Sequence, residues 1–425
     1  SSDLDDKYVL SGSIRWDRSN LWGTNSKYQN KPLWSVGGSW NIYKEKFFQA
    51  DFVDMLKLRA SYGIGGNIGR NTAPYLIASY YDSSLVDGMA GSVNTPPNKD
   101  IRWEKTTTVN VGVDFALFRH RLSGTIEYYN KYSVDLLAAI NGSPTQGFGY
   151  TTLMTNNGKM VNRGVEITLS GEIIRQKDFS WNASLLYAFN RNKVKHISVQ
   201  PSLWDSRISM PTSYPMVGKP LYGIYAYKWA GLNENGDPQV YDAENNVTSG
   251  PARDYHALVY CGTTVPIHNA SLTNVLRYKG FEFSAMLILD AGHKLRSSNI
   301  PSINMSNGRI TSTAKGIVDR WTQPGDVTDV PRLLFSNDTE NFNTHRTELY
   351  RYSDLFVYDA SNIRLSNISL AYRVPAHWCK KISLSGARLQ FNVENVATFA
   401  FDSKANYDLG GKVKPNYVWG LYLNF

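Results

Sequence analysis

The sequence predicts an all-β chain, a transmembrane antiparallel β-barrel to which these 425 residues contribute about twelve strands. Three observations predict it. Apolar and polar residues alternate strictly over long stretches, and a period of two means a strand with one apolar and one polar face. The connections between these stretches alternate between short and long, as in barrels with tight turns at one membrane face and long loops at the other. The last segment alternates without a break up to a terminal aromatic, Phe425.

The strands are expected at 8–17, 33–43, 54–64, 104–118, 121–137, 160–172, 179–194, 267–278, 281–291, 355–374, 386–399 and 415–425. In the first, Tyr8, Leu10, Gly12, Ile14 and Trp16 oppose Ser11, Ser13, Arg15 and Asp17. Trp34, Val36, Trp40 and Ile42 mark the second. In the third, Leu56, Leu58, Ala60 and Tyr62 oppose Lys57, Arg59 and Ser61. The fourth is the clearest, with Val109, Val111, Val113, Phe115 and Leu117 against Thr106, Thr108, Asn110 and Asp114. Many of these segments exceed the ~5–6 residues of an ordinary strand and suit a tilted membrane crossing of ~10. Near Ser366 and Asn367 the alternation changes phase, which a β-bulge explains. Short connections fall at 44–53, 119–120, 173–178, 279–280 and 375–385; long ones fall at 18–32, 65–103, 138–159, 195–266, 292–354 and 400–414. Residues 221–232 are strand-like, but a spanning strand there would break the short/long rule, so they read as a hairpin inside the 195–266 loop.

Composition agrees with this. Charged residues are 19% and aromatics 13%, with 27 Tyr, 17 Phe and 11 Trp. Tyr and Trp suit the two membrane interfaces, where a ring is buried and its polar tip is wet. Apolar runs such as 136–140 and 285–289 are far short of the ~20 residues a membrane helix needs. Two cysteines, Cys261 and Cys379, exclude a disulfide framework and read as two unpaired buried thiols, with one pair in an oxidising compartment as the alternative. The net charge of +9 is spread along the chain, with no stripe of the kind that binds nucleic acid. It reads as a solvated surface, or as one facing anionic lipid or substrate. No signal peptide precedes Ser1 and a strand pattern begins almost at once, as expected of a processed or incomplete chain.

Ordered blocks over most of the chain resemble the SusC/RagA family of TonB-dependent outer-membrane transporters. They lie at 57–67 (KLRASYGIGGN), 101–137, 156–171 (NNGKMVNRGVEITLSG), 217–238 (VGKPLYGIYAYKWAGLNENGDP), 278–284 (YKGFEFS), 320–332 (RWTQPGDVTDVPR) and 354–372 (DLFVYDASNIRLSNISLAY). The resemblance implies a 22-stranded barrel around a plug domain. It also implies a SusD-like surface lipoprotein as a lid, a TonB complex recruited through a segment absent here, and import of a glycan, peptide or other large nutrient without covalent chemistry. These residues are then the carboxy-terminal part of the barrel, 1–425, with long extracellular loops at 65–103, 195–266 and 292–354. The plug and the early strands come from an upstream part of the same barrel. Twelve being even, a small self-closed barrel is the arithmetic alternative. The alternating Tyr417, Trp419, Leu421, Leu423 and Phe425 resemble the sorting strand of bacterial outer-membrane proteins. Localisation is thus expected in the outer membrane, with its lipid and lipopolysaccharide as partners.

No catalytic or metal motif stands out, and no cofactor is expected. Residues 63–69 (GIGGNIG) are not a dinucleotide fingerprint and read as a flexible strand exit. Residues 233–237 (NENGD) faintly resemble a calcium loop without its full ligand series and read as a turn. The carboxylates Glu104/Asp114 and Glu166/Glu172 share the polar face, either as pairs across a site or, by default, as wall charges. Because sugars stack on aromatic rings, Trp204, Tyr214, Trp229 and Trp321 in the long loops are the candidate substrate or partner contacts, with loop packing as the bland reading. The loops 195–266 and 292–354 are the expected partner surfaces. Two other functions fit the sequence: a SusC-like barrel acting as a scaffold subunit of a larger outer-membrane assembly, and a soluble secreted β-rich glycan-binding protein.

Overall fold

The computed structural model describes residues 2–17, 25, 32–69, 74–84, 88–142, 145, 152–201, 206–250, 254–306, 309–333, 344–410 and 414–425. Thirteen strands form one antiparallel meander in which every strand pairs with the next sheet strand in the chain. Twelve are the expected ones. The thirteenth, Ser2–Leu4, pairs with Tyr8–Arg15 and forms the first edge in its place. Three residues are too few to show a period.

Register makes the two faces coherent. Directly opposite residues share a face, so a row can be followed from strand to strand. Val111 lies opposite Ala60 and Tyr128, Tyr128 opposite Val165, and Val165 opposite Phe189. One residue along, Asn110 lies opposite Ser61 and Tyr129. An apolar band thus runs from strand to strand on this parity, and among the described residues no second layer covers it: Val111, Ile126, Leu370, Leu389 and Leu421 are exposed and Phe115 is half-buried. A long band of uncovered Val, Leu and Phe suits a hydrocarbon solvent, and paired strands leave no backbone polar group facing it. Val111→Arg is therefore expected to lower barrel stability by about 2–3 kcal/mol, whereas Asn110→Arg is tolerated. Urea unfolding of the full-length protein in lipid vesicles measures both.

The turns at the short end are built locally. Phe118, Arg119 and His120 all take left-handed backbone, and the His120 N–H donates to the Asp54 carboxylate at 2.7 Å. At the turn 42–52, Glu45 accepts from Lys7 Nζ (3.1 Å), Tyr8 Oη (2.5 Å) and Trp40 Nε1 (3.0 Å). These bonds, Tyr8's first, hold its carboxyl down at about 2.

At the other end the structure revises several expectations. Leu122–Asn141 and Thr152–Arg175 run 20 and 24 residues, so most of the expected 138–159 loop is strand. The alternation had broken there because of irregular pairing between Ser133 and Leu137, where Asp135 takes a left-handed backbone. The strand Val53–Asn67 continues through Gly65 and Gly66, so residues 63–67 are not a flexible exit. The expected strand 355–374 is two pieces: Asn362–Arg373 lies in the sheet, while Val357–Asp359 pairs with Lys294–Arg296 outside it. The phase change is a register shift between Leu365 and Asn367, as the bulge reading requires. Residues 221–232 do not fold as a hairpin on themselves. Gly223–Tyr227 pairs with Leu258–Thr263, and Trp229–Leu232 pairs with Pro238–Tyr241. Both cysteines are free; Cys379 is buried and Cys261 only half-buried.

Candidate functional site

The polar face and the platform at the long-loop end together form the candidate site. On the polar face, charges are matched across strands. Arg59 pairs with Asp114 at 3.1 Å and also with Glu127, and Asp114 accepts from Thr125 Oγ1 at 2.9 Å. Glu282 takes Arg277 at 2.7 Å and Arg388 at 3.1 Å. Asp290 accepts from Asn269 Nδ2 at 2.7 Å. Gly112 gives the Arg59 guanidinium its space, since any Cβ there would press on it.

The expected carboxylate pairs do not converge. Glu104 and Asp114 sit ten residues apart on one strand, and Glu166 and Glu172 six apart, or roughly 33 and 20 Å at ~3.3 Å per residue. Glu104 instead accepts from Asn67 Nδ2 and the Leu137 N–H, both at 2.9 Å. The juxtaposition sequence reading missed is Glu127 directly opposite Glu166, which only register reveals. Glu166, Thr168, Ser271 and Asp290 share a shallow depression on this wall with Leu186, Ala188 and Ile288.

At the long-loop end, residues from 195–266 and 292–361 fold into one platform. Its core is Tyr225, Tyr227, Val240, Ala257, Leu258 and Leu349, all buried. The helix Thr344–Arg351 packs on the strand Pro238–Tyr241. Arg296 donates to the carbonyls of Tyr225 (2.6 Å), Ser353 (3.2 Å) and Arg351 (3.4 Å), tying three segments together. Burial pushes its pKa down. Burial also pushes the Cys261 thiol up to about 11, which keeps it protonated and unreactive at neutral pH. Asp237 receives Arg332 Nη2 at 2.9 Å and Arg346 Nε at 2.6 Å. Burial opposes its charge, but the two arginines prevail and its pKa is lowered. The 233–237 segment is a turn closed by Asn233, whose Oδ1 accepts the Asn235 and Asp237 N–H groups at 3.0 and 2.9 Å. The late loop joins in through Asp408, which accepts the hydroxyls of Ser297 and Ser298, both at 2.7 Å.

Of the candidate aromatic contacts, Trp204 lies outside the described residues. Tyr214 is buried, and its carbonyl accepts from Arg207 Nε at 3.2 Å. Trp229 donates to Asp329 at 3.0 Å and packs on Tyr350 with ring centroids 5.7 Å apart. Trp321 lies over Gly236. All three have packing partners within the platform. The hairpin Ile77–Ser83/Gly88–Thr95 also leaves large side chains uncovered, with Tyr80 72% and Met89 69% exposed. Among the described residues the final strand Asn416–Asn424 pairs with Gly386–Ala400 alone, and the Trp419 ring packs tilted against Phe391 with centroids 4.2 Å apart.

Comparison with known proteins agrees with this geometry. The family described as TonB dependent receptor-like, beta-barrel matches residues 2–396. TonB-dependent receptor P3 of Formosa agariphila is 27% identical over 98% of this chain and 42% of its own length. TonB-dependent receptor SusC of Bacteroides thetaiotaomicron is 25% identical over 92% of this chain and 38% of its own. The chain thus spans about two fifths of the curated relatives it matches. Among solved structures, the RagAB peptide transporter superposes with a TM-score of 0.79 at 23% identity, covering 99% of this chain and 46% of that one. The chain belongs to the TonB dependent receptor-like β-barrel family and is an outer-membrane barrel protein of SusC/RagA type.

Proposed function

We propose that this chain is the carboxy-terminal barrel wall of a transporter that imports a large nutrient, a glycan or a peptide, powered by TonB and gated by a SusD-like lipoprotein lid. The observation that carries this reading is the division of labour across the sheet. One face carries a band of apolar residues, the other is ion-paired and polar, and residues of the two longest connections, 195–266 and 292–354, pack into one platform. A polar wall suits a plugged, water-lined lumen, and a rigid platform at its mouth suits a docking partner. The plug and the remaining staves, about ten, would come from an upstream part of the same barrel. RagAB is a peptide transporter, which supports a peptide as one of the two substrate classes. The chain's own part is to bind, orient and pass the nutrient, without covalent chemistry.

Uptake of labelled oligosaccharide and peptide libraries by cells expressing the full-length protein tests this. Uptake is expected to vanish in a TonB-deficient strain and when the partner lipoprotein gene is deleted. Undiminished uptake without TonB would overturn energised import. No uptake of any library, with stable co-purification of a large outer-membrane assembly, would favour a scaffold role.

A further inference from the structure

We propose that the outward face of the wall holds a phosphate-bearing glycolipid of the outer leaflet at a site built on Arg163 and Arg191. This rests on the reading above that the apolar face meets lipid and the long connections lie outside.

Register places the two arginines directly opposite each other on neighbouring strands. Both are on the apolar parity, and both are exposed. Like charges facing across a strand pair repel, and an anion between them relieves the repulsion. Arg163 is aimed by its neighbour, since its Nε donates to Asn130 Oδ1 at 2.8 Å, which leaves the rest of its fork free to turn outward. Lys193 stands one row further out on the same face, beside Val161.

The surroundings select the kind of anion. On this parity, the paired spans 105–117, 122–132, 161–171 and 183–193 contain no Asp or Glu; their charged residues are Lys105, Arg163, Arg191 and Lys193. The carboxylates of these strands, Asp114, Glu127 and Glu166, are all on the other face. Immediately below the arginines lies an aromatic row. Tyr128, Phe189 and His268 occupy it, with Phe189 and His268 centroids 5.3 Å apart, and Tyr187 Oη bonds His268 Nδ1 at 2.9 Å. Below that row the face is mainly Val, Leu, Ile and Ala, with Tyr187, Phe115 and Gly124 among them. From Leu122 to Asn130 the strand climbs eight residues, about 26 Å, or ~20 Å along an axis tilted ~40°. That is near the top of an apolar band ~25 Å tall, where headgroup phosphates sit above acyl chains. Cations above aromatics above aliphatics match phosphate above sugar above acyl chain. Arginine forks suit phosphate oxygens.

Native mass spectrometry of the full-length protein, extracted from outer membranes in mild detergent, tests the site. Wild type is expected to retain a phosphorylated lipid A-type glycolipid. Retention should fall about fivefold for each arginine removed, so about twenty-five-fold in Arg163→Ala/Arg191→Ala. Lys177→Ala, at the opposite end of the wall, should leave it unchanged. Absence of the glycolipid from wild type, or its full retention by the double variant, would overturn the proposal. A second arm offers delipidated protein in nanodiscs four probes: phosphorylated lipid A, its dephosphorylated form, phosphatidylglycerol and millimolar inorganic phosphate. Only the first should bind tightly. Equal binding of phosphatidylglycerol, equal binding of the dephosphorylated form, or displacement by inorganic phosphate would each overturn it. Should the double variant not assemble, Arg191→Gln, checked by heat-modifiable gel mobility, is expected to lose about fivefold, and no loss would count against the site. Glycolipid retention and nutrient uptake are read separately, so a failed uptake assay beside intact retention strikes only the transport reading.

Discussion

Gly236→Val is expected to cost the loop platform about 4 kcal/mol, the sum of a β-branched residue forced into left-handed backbone and of overpacking. Gly236 has φ +74, and any Cβ there would fall inside the indole of Trp321. The glycine also supplies the carbonyl that accepts the Arg332 N–H at 3.1 Å. Limited proteolysis of the full-length protein should cut the 195–266 and 292–354 segments rapidly, while heat-modifiable gel mobility reports an intact barrel. Trp321→Ala in the same chain should recover only the packing share, because the backbone conformation still excludes valine. Full recovery would sink the backbone half of the argument.

Asp237→Ala should cost a similar amount, about 3–4 kcal/mol, by leaving Arg332 and Arg346 without their shared counter-charge in a mostly buried setting. Asn at this position keeps hydrogen bonding and should lose less. The pH dependence has a definite sign. Asp237 is held below its ordinary value, so its contribution is complete above the unfolded carboxylate pKa of ~3.9 and fades as pH falls through the folded one. Protection of the platform amides in hydrogen exchange should therefore stay flat from neutral pH down to about pH 4 and drop below it in wild type. In Asp237→Ala the acid-induced drop should be smaller. Because Gly236 and Asp237 occupy one turn, the double variant should lose less than the two effects added.

The sheet was legible in the sequence because lipid on one side and water on the other impose period two, and twelve strands show it. Reading failed where that period is interrupted. Ser2–Leu4 is too short to have one, and Asp135 and its neighbours break one that in fact continues. The platform was not legible, since its strands Gly223–Tyr227 and Trp229–Leu232 find partners far along the chain and carry no local signal for them. Tyr214, Trp229 and Trp321, named as contacts from position alone, have packing partners in that platform, whereas the opposed pairs Glu127/Glu166 and Arg163/Arg191 required register. Residue type marks which side chains matter in a barrel, but only strand pairing says which of them meet.

The strands Leu122–Asn141 and Thr152–Arg175 outreach their companions. At ~3.3 Å per residue and ~40° of tilt the longer one climbs about 60 Å, roughly twice what the bilayer requires. Leu33–Asn41, His268–Tyr278 and Asn416–Asn424, of 9, 11 and 9 residues, stop near the bilayer's far surface. Among the described strands this neighbouring pair therefore stands as a parapet above the strands on either side of it. A lid of the kind proposed above would meet that parapet on one flank of the mouth.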